Sequence, residues 1–280
     1  ISKEIKLTTD ISCIKSSEIV IFAIPSTYVR KIALIAKPFM TSKSIIVNTG
    51  KGLEDGSLKR LSEVLSEIFP ENKVVVLSGP SHAEEVVLCM PTTVVAASGD
   101  IAVAEQVQDI LANESFRIYT SCDVIGCELG GALKNIIALC AGICDGMGYG
   151  DNTKAALMTR GITEIARLGV ALGARTDTFA GLTGIGDLIV TCTSMHSRNR
   201  RAGILIGQGV SPQEAVSRIG TVEGFYCSKV AHELSKASGV NMPIADELFS
   251  VLFENKDVKT ALFDLMGRPK RHESEETWAL

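Results

Sequence analysis

The stretch EIVIFAIPSTYVRKIALIA, residues 18–36, decides the fold. Its first part is a short continuous apolar run stopped by Pro25, which is typical of a strand covered on both faces in a parallel sheet. Ser26 can cap the helix that follows, in which apolar side chains recur at near-helical spacing. A second apolar run at 44–48 predicts the next strand, so this region is predicted to be a βαβ unit.

The alternation of strand and helix continues to about residue 120. Further strands are predicted at 73–77, 92–97 and 116–119. The helices predicted between them lie at 58–68, from the GPS segment at 79–81 through 83–87, and at 101–112. Beyond Ser121 the strand signals stop, and helical periodicity predicts helices at 122–143, 152–172, 198–208, 212–218, 223–238, 243–254 and 257–266. The predicted fold class is therefore an α/β parallel-sheet domain of doubly wound character over residues 1–120, followed by an all-α domain over residues 121–280.

The composition excludes several classes of protein. A hydrophobic content of 46% supplies a core and excludes disorder as the main state. With 28 Lys and Arg against 32 Asp and Glu, the net charge of −4 provides no global positive field for nucleic acid or an anionic membrane. The eight cysteines lie mostly in apolar runs without a CxxC pair, so we expect reduced, buried thiols, no metal site and a cytoplasmic protein. The apolar stretches are shorter than the roughly 20 residues of a membrane span, so we expect none.

Ligands of open α/β sheets bind beyond the carboxyl ends of the strands, so two loops that follow predicted strands are candidate binding sites. In NTGKG, residues 48–52, the Lys51 ammonium suits a phosphate or carbonyl oxygen, although a solvated turn explains the loop equally well. In SGPSH, residues 78–82, backbone N–H groups and a hydroxyl at a helix start favour an anion, although a plain helix cap needs no function. We expect His82 to be a neighbour of that cap or a surface group.

The strongest constellation is ELGGALKN at residues 128–135. Glycine in a helix interior costs about 1 kcal/mol relative to alanine, so we expect a backbone or ligand to pack closely against Gly130 and Gly131. One turn further on, Lys134 and Asn135 interrupt an apolar helix, where a buried ammonium is costly unless it is paired or used in chemistry. The alternative is a lysine that extends to the surface.

A second polar group lies in GLTGIGDLIVTCTSMHSRNRRAG, residues 181–203. Asp187 follows a glycine-rich approach to an apolar run, and Ser197 precedes the next predicted helix. Arg198 with Asn199 can bind a phosphate, because a planar guanidinium forms bidentate bonds and the amide adds a donor.

Arg200 and Arg201 continue the basic run, and we expect them on a solvated face. The run is short, lacks interleaved aromatic residues and lies in an acidic chain, so it does not favour nucleic-acid binding. We therefore expect a small-molecule ligand and no nucleic-acid partner.

Six motifs together resemble the bacterial-type NAD(P)-dependent glycerol-3-phosphate dehydrogenase family. In chain order they are KG at 51–52, GPSHAEE at 79–85, ELGGALKN at 128–135, DGMGYGDNTKAALMTRG at 145–161, GIGDLIVTCTSMHSRNRRAG at 184–203 and VEGFYCSK at 222–229. No single motif is specific, but six in this order are. The resemblance implies a Rossmann-like domain followed by an all-helical domain similar to the C-terminal domain of 6-phosphogluconate dehydrogenase, which agrees with the break near Ser121.

The resemblance also implies an activity and a set of site residues. The activity is the reversible reduction of dihydroxyacetone phosphate to sn-glycerol 3-phosphate with NAD or NADP, feeding glycerophospholipid synthesis in the cytoplasm. Lys134 would be the catalytic acid and base, with Asp187 orienting it. The implied substrate-binding residues are Lys51, Gly79, Ser81, Lys134, Asn135, Asp187, Thr191, Ser197, Arg198 and Asn199. The implied cofactor-binding residues are Lys51, Ala83, Arg198, Val222 and Glu223. A homodimer is plausible, since the helical half is apolar.

The chain departs from the family pattern in two places. The family normally opens with a strand and a GxGxWG loop that holds the cofactor pyrophosphate; this sequence has neither, so we expect an N-terminal part of on the order of 30 residues or more to be missing from the Rossmann-like domain. The stretch GTVEG is one residue shorter than in the family, which leaves the register at Val222 open. Two alternatives remain: another hydroxyacid dehydrogenase of the same layout, in which the catalytic Lys and Asn are several residues apart, and an inactive, truncated binding or scaffold protein.

Overall fold

A five-stranded sheet occupies the first half of the chain. The structure is a computed structural model, and it describes residues 4–270, 272 and 273. The strands are β1 (Ile19–Phe22), β2 (Ile45–Asn48), β3 (Val74–Ser78), β4 (Thr92–Ala97) and β5 (Phe116–Ser121), in that spatial order. The helices between them are α1 (Val29–Ala36), α2 (Leu61–Ile68), α3 (Ala83–Val86) and α4 (Ile101–Leu111), and single 3₁₀ turns lie at Ile11–Ser16, Ser26–Tyr28 and Lys37–Phe39. Each strand predicted from the sequence is present.

One strand pair corrects the prediction of a parallel sheet. The pairs β1–β2, β2–β3 and β4–β5 are parallel, but β3 and β4 are antiparallel, with Leu77 opposite Ala96. The helix between them, α3, has only four residues, so the chain lacks the long helical crossover that parallel neighbours need. As a result the carboxyl ends of β1, β2 and β3 meet at one edge of the sheet, while β4 and β5 end at the opposite edge.

Helices cover both faces of the sheet. All four residues of β2 are buried, as the continuous apolar run predicts for a strand covered on both faces. Because successive side chains point to opposite faces, Ile46 packs among the residues of α1 and α2, whereas Val47 packs with α4 and β5.

The second half is helical, as predicted. Its helices are α5 (Val124–Gly146), α6 (Asp151–Ala171), α7 (Thr176–Phe179), α8 (Asp187–Thr193), α9 (Arg198–Gly207), α10 (Pro212–Ile219), α11 (Glu223–Ser238), α12 (Pro243–Phe253) and α13 (Val258–Met266). The sequence did not predict α7, α8 or the π turn at Leu182–Gly186, because closely spaced glycines interrupt the helical periodicity there. The last residues of the predicted helical domain, 274–280, lie outside the described residues.

Helix α5 is the core of the helical half. Its length and composition would suit a membrane span, yet 83% of its most apolar window is buried inside the protein. Residues on every side of the helix are buried, and α6, α8, α9 and α11 pack around it. The helix is therefore apolar all round because protein covers all of its faces.

The expectation of buried thiols is correct for five of the eight cysteines and wrong for three. All eight are free, and five are buried or half-buried: Cys127, Cys140, Cys144, Cys192 and Cys227. Cys13, Cys89 and Cys122 are exposed. Cys89 follows the short helix α3 and Cys122 follows the last strand, so both lie where the chain leaves the packed elements.

Glycines bring α5 and α9 into direct backbone contact. A Cβ at Gly142 would lie 2.0 Å from the carbonyl oxygen of Arg200, and a Cβ at Gly203 would lie 2.1 Å from that of Leu139. Neither position has room for any side chain. This contact fixes the N-terminal turn of α9, which carries Arg198, against the core helix.

We predict that Gly203→Ala destabilises the protein by about 3 kcal/mol, the upper part of the usual range for overpacking, because neither backbone can move away. Chemical denaturation of the variant and the wild type measures the difference. Gly150→Ala is the control, since nothing lies within 4 Å of its Cβ position and its φ of −85° suits alanine; its effect should stay within about 1 kcal/mol. Equal effects of the two substitutions would contradict the direct contact.

Candidate active site

A polar cleft of about 630 Å³ opens between the carboxyl edge of β1–β3 and the helical half. It is lined by 23–25 after β1, 49–51 after β2, 81–84 around the start of α3, Lys134 and Asn135 of α5, Asp187 and Thr191 of α8, 196–199 and Arg201 around the start of α9, and Thr221 and Glu223 before and in α11. This is the edge at which open α/β sheets bind ligands. Most of the residues singled out in the sequence meet here.

A buried carboxylate, that of Asp187, lies between two ammonium groups. Its Oδ2 accepts a hydrogen bond from Lys51 Nζ at 2.8 Å, and its Oδ1 accepts one from Lys134 Nζ. Lys134 also donates to Thr191 Oγ1 at 2.6 Å, and Lys51 donates to the Gly79 carbonyl at 2.6 Å. Lys134 is only 4% exposed, so the alternative of a lysine that extends to the surface is wrong.

The protonation states of this group follow from burial and from mutual charge. Burial is the main cause that lowers the pKa of Lys134 to about 8; Asp187 opposes this effect and Lys51 adds to it. Burial alone would raise the pKa of Asp187, but the two ammonium groups outweigh it and hold that pKa below its ordinary value. Near neutral pH, an ionised Asp187 therefore faces a Lys134 that can gain or lose a proton at little cost.

The paired glycines of α5 allow this arrangement. A Cβ at Gly130 would lie 2.5 Å from the Thr183 carbonyl oxygen, and a Cβ at Gly131 would lie 2.6 Å from Ser78 Oγ at the end of β3. The expectation of close packing at this pair is confirmed. Because α5 approaches β3 so closely, Lys134 lies in the same cleft as the loop after β2.

Asn199 lines the cleft, and its amide also forms hydrogen bonds inside the protein. Its Nδ2 donates to Asn135 Oδ1 at 2.8 Å, and its Oδ1 accepts from the Gly224 N–H at 2.8 Å. Asn135 in turn donates through Nδ2 to the Lys51 carbonyl at 3.0 Å. The two amides thus join α9, α11, α5 and the loop after β2, and both residues also line the cleft.

The three arginines of α9 have different environments. Arg198 is exposed and lines the cleft, and within the described part of the chain its guanidinium has no hydrogen-bond or ion-pair partner. Arg201 is exposed as expected, but it also lines the cleft. The expectation of a solvated face is wrong for Arg200, whose Nε donates to Asp145 Oδ2 at 2.7 Å and whose Nη1 donates to the Thr193 carbonyl at 2.6 Å.

Ser197 precedes these arginines as the N-cap of α9. It is 3% exposed, and its Oγ accepts a hydrogen bond from the Arg200 N–H at 3.2 Å. A buried hydroxyl that caps the helix fixes the first turn, and therefore the position of Arg198.

The GPS segment leads into a helix that is too short to attract an anion through its dipole. Helix α3 has only four residues, too few for a substantial helix dipole. Gly79 has φ +131°, which favours glycine, and its carbonyl accepts from both Lys51 Nζ at 2.6 Å and Ser81 Oγ at 3.0 Å. Gly79 thus orients Lys51 through its carbonyl, while Ser81 and Ala83 line the cleft.

His82 is a cleft residue that the sequence analysis set aside. His82 is the N-cap residue of α3, so it lies at the helix start, as expected. Its half-buried ring lies in the cleft wall, 5.8 Å from the ring of His196. Burial lowers its pKa. In the sequence, only the position of His82 directly after GPS indicates that it lies in the cleft. Neither His82 nor His196 belongs to a periodic pattern.

Of the two expected cofactor residues in α11, the structure brings only Glu223 to the cleft. Val222 is wholly buried as the N-cap residue of α11, so its side chain does not reach the cleft. The Glu223 carboxylate accepts from the backbone N–H of Ser26 at 2.9 Å and from its Oγ at 2.5 Å. The prediction that Ser26 caps a helix is wrong, because its hydroxyl is used in this contact and α1 begins only at Val29.

The wall formed by the loops after β1 and β2 fits one end of a nicotinamide cofactor. A Cβ at Gly50 would lie 3.0 Å from Leu61 Cδ1, and a Cβ at Gly52 would lie 2.5 Å from Ser26 Cβ, so the neighbouring side chains leave little room for a side chain at either glycine. Lys51 adds a cation and Glu223 an acceptor for hydroxyl or amide groups. Such a wall suits a flat, polar group that lies close to backbone.

Comparison with known proteins places the two halves in one family. Residues 1–104 match the family model described as NAD-dependent glycerol-3-phosphate dehydrogenase N-terminus, and residues 123–263 match the corresponding C-terminus. The chain is 56% identical over 275 residues, 98% of its length, to the glycerol-3-phosphate dehydrogenase [NAD(P)+] of Thermoanaerobacter sp., of which it covers 83%. It is 51% identical to the enzyme of that name from Bacillus subtilis, over an alignment of 281 positions that covers 99% of this chain and 81% of that one. The crystal structure of glycerol-3-phosphate dehydrogenase from Coxiella burnetii superposes with a TM-score of 0.89 at 36% identity, over 92% of this chain and 80% of that one.

We predict that Asp187→Asn destabilises the protein by about 3–5 kcal/mol near pH 6, because Lys134 then remains buried without its nearest counter-ion. In the variant the pKa of Lys134 falls further below its ordinary value of 10.5. A native state that binds protons more weakly than the unfolded state gains stability as pH rises, so the loss should be smaller near pH 9.

Denaturant unfolding at the two pH values measures this loss. Asp177→Asn is the control, because Asp177 pairs with Arg175 on the surface, where the two side chains are 67% and 72% exposed; it should cost less than about 1 kcal/mol. A loss at Asp187 that does not change with pH would contradict the pairing with Lys134.

Proposed function

The chain belongs to the NAD-dependent glycerol-3-phosphate dehydrogenase family, and from that premise we propose how its cleft carries out the reaction. The protein is an NAD(P)-dependent oxidoreductase that reduces dihydroxyacetone phosphate reversibly to glycerol 3-phosphate. The observation that carries the assignment of the reaction to this cleft is the buried Lys134–Asp187 pair at the carboxyl edge of the sheet.

Lys134 is the proposed acid and base. The bound cofactor supplies the hydride to C2 of the substrate. As C2 accepts it, negative charge develops on the carbonyl oxygen, and the Lys134 ammonium stabilises this charge and then donates its proton. Reduction uses protonated Lys134 and oxidation uses the neutral amine, so a pKa of about 8 suits both directions.

Asp187 and Thr191 keep Lys134 in position, and Lys51 shares the Asp187 carboxylate. Asp187 holds the ammonium through Oδ1, and Thr191 Oγ1 accepts a second hydrogen bond from it. Lys51 is fixed by Asp187 and by the Gly79 carbonyl, which brings a second positive charge to the site of the developing oxyanion.

Arg198 is the proposed phosphate-binding residue. It is a cation on the cleft wall whose donors are not used by the described residues, and it follows a buried helix cap that fixes its position. Bidentate contacts to the substrate phosphate would hold C2 against the nicotinamide, since binding energy far from the reacting atoms can position them. Ser81 adds a hydroxyl on the same cleft.

The proposed cofactor-binding residues are Lys51, Ala83, Arg198 and Glu223, which line the cleft; Val222 can take part only through its backbone. The adjacency of Lys134 and Asn135 supports this family over another hydroxyacid dehydrogenase, and the intact charged group at Asp187 supports an enzyme over an inactive scaffold.

The chain divides into two parts at the end of the sheet. We propose two functional units, residues 1–120 for the cofactor and 121–280 for catalysis and substrate, with the strand-to-helix transition after Ser121 in support.

Eight free thiols support a reducing cytoplasm, where the product would serve glycerophospholipid synthesis. A homodimer stays a prediction.

We predict that Lys134→Met lowers kcat by about 10²- to 10⁴-fold, the usual contribution of general acid catalysis, while NAD(P)H binding changes little. Stopped-flow measurement of hydride transfer and a cofactor titration test both parts. Lys229→Met is the control, since Lys229 lies outside the cleft and pairs with Asp55 on the surface; it should keep the wild-type rate. A Lys134 variant that retains more than about a tenth of that rate would assign the acid to Lys51 instead.

We predict that Arg198→Ala mainly raises the KM for dihydroxyacetone phosphate, because it removes a charge-assisted contact worth about 1.5–3 kcal/mol. Steady-state kinetics with each substrate varied in turn measures the effect. The control is Arg117→Ala on β5, which removes an exposed arginine far from the cleft and should leave both KM values unchanged. Unchanged KM values for both substrate and cofactor in the Arg198 variant would show that Arg198 is a solvated surface residue that does not bind the phosphate.

A further inference from the structure

Ser26 makes a two-point contact with Glu223 across 197 positions of the sequence. Ser26 follows β1 and is 4% exposed, and Glu223 is the first residue of α11. The backbone N–H donates to one carboxylate oxygen at 2.9 Å and the hydroxyl donates to the other at 2.5 Å. Both oxygens are therefore fixed by a single residue of the sheet domain.

The loop after β2 closes a further side of this contact. A Cβ at Gly52 would lie 2.5 Å from Ser26 Cβ and 2.8 Å from Glu223 Oε2. The carboxylate therefore cannot move toward that loop, and no side chain can enter between the three segments. Glu223 also lines the cleft, so its carboxylate is fixed at the cleft wall.

The chemistry of the fixed group defines what it can bind. An ionised carboxylate only accepts hydrogen bonds and has about four lone-pair positions, of which Ser26 uses two. The remaining positions can receive O–H or N–H donors from a ligand in the cleft, and they repel a phosphate. On a nicotinamide cofactor the matching donors are the ribose hydroxyls and the carboxamide.

We propose that Ser26 is a positioning residue for the cofactor, which orients the Glu223 carboxylate to accept hydrogen bonds from the ribose or carboxamide of NAD(P)H. The inference rests on the proposed function. Ser26 itself is nearly inaccessible and acts through Glu223, so its removal changes cofactor affinity and leaves the acid–base step at Lys134 intact.

The protein contains a matched control for this contact. The backbone N–H of Ser62 donates to Glu128 Oε1 at 2.8 Å, and the Ser62 hydroxyl donates to Oε2 of the same carboxylate. This pair also joins the sheet domain to a helix of the second half, but neither residue lines the cleft. Ser62→Ala therefore removes the same kind of contact without touching the proposed cofactor wall.

The test compares Ser26→Ala, Glu223→Gln, the double variant and Ser62→Ala. NADH fluorescence titration gives Kd, steady-state kinetics gives kcat and both KM values, and thermal unfolding shows that each variant is folded. We expect Ser26→Ala to weaken NADH binding about tenfold, since the lost bond is charge-assisted, with kcat and the KM for dihydroxyacetone phosphate unchanged. The double variant should bind no more than about twofold more weakly than Glu223→Gln alone, because coupled residues are not additive.

Four results would overturn the inference. The first is a wild-type Kd in Ser26→Ala, and the second is equal weakening by Ser62→Ala, which would make Ser26 only a tie between the two halves. The third is full additivity in the double variant, and the fourth is no NADH binding by the wild type. Wild-type protein that binds NADH but does not reduce dihydroxyacetone phosphate would overturn the proposed function alone, and the Kd comparison would still decide the role of Ser26.

Discussion

The buried carboxylate of Asp187 is the interaction on which the cleft depends. An unpaired charge at a position only 1% exposed would be very costly, so the fold must supply positive partners. One of them comes from the loop after β2 and the other from α5, so satisfying a single carboxylate joins the sheet domain to the core helix. The same requirement keeps a lysine amine out of water, which is the condition that brings its pKa into the working range of an acid and base.

Close contact between backbones provides the geometry for this pairing. Along α5, Gly130 and Gly131 face the π turn and the end of β3, while Gly142 faces α9. At Gly130 and Gly142 the helix meets main-chain carbonyls directly, and at Gly131 it meets the Ser78 hydroxyl, so the distances between the charged groups follow from this close approach. Positions set by backbone packing are more precise than positions set by flexible side chains, which suits a site that must orient a proton donor.

Sequence patterns were sufficient where the cause of a structure is local. The apolar runs gave the strands because burial on both faces leaves no polar position, and a lysine in an apolar helix indicated a paired ammonium. The antiparallel β4 was missed because the direction of a strand depends on the connection before it, and α3 is shorter than its pattern indicated. Arg200 and Ser26 were misjudged because their partners lie 55 and 197 positions away, and nothing local in the sequence identifies such partners.

The ties between the two halves have a consequence for the order in which the protein folds. Ser26 meets Glu223 and Ser62 meets Glu128 only after long segments of chain have been brought together, and the entropy of closing those loops must be overcome first. The core residues of the sheet pack largely in clusters separate from the core of the helical half, so each half can form before these pairs do. The catalytic cleft is then the last part of the molecule to be completed, and during refolding the recovery of enzymatic activity reports the docking of the halves rather than the formation of secondary structure.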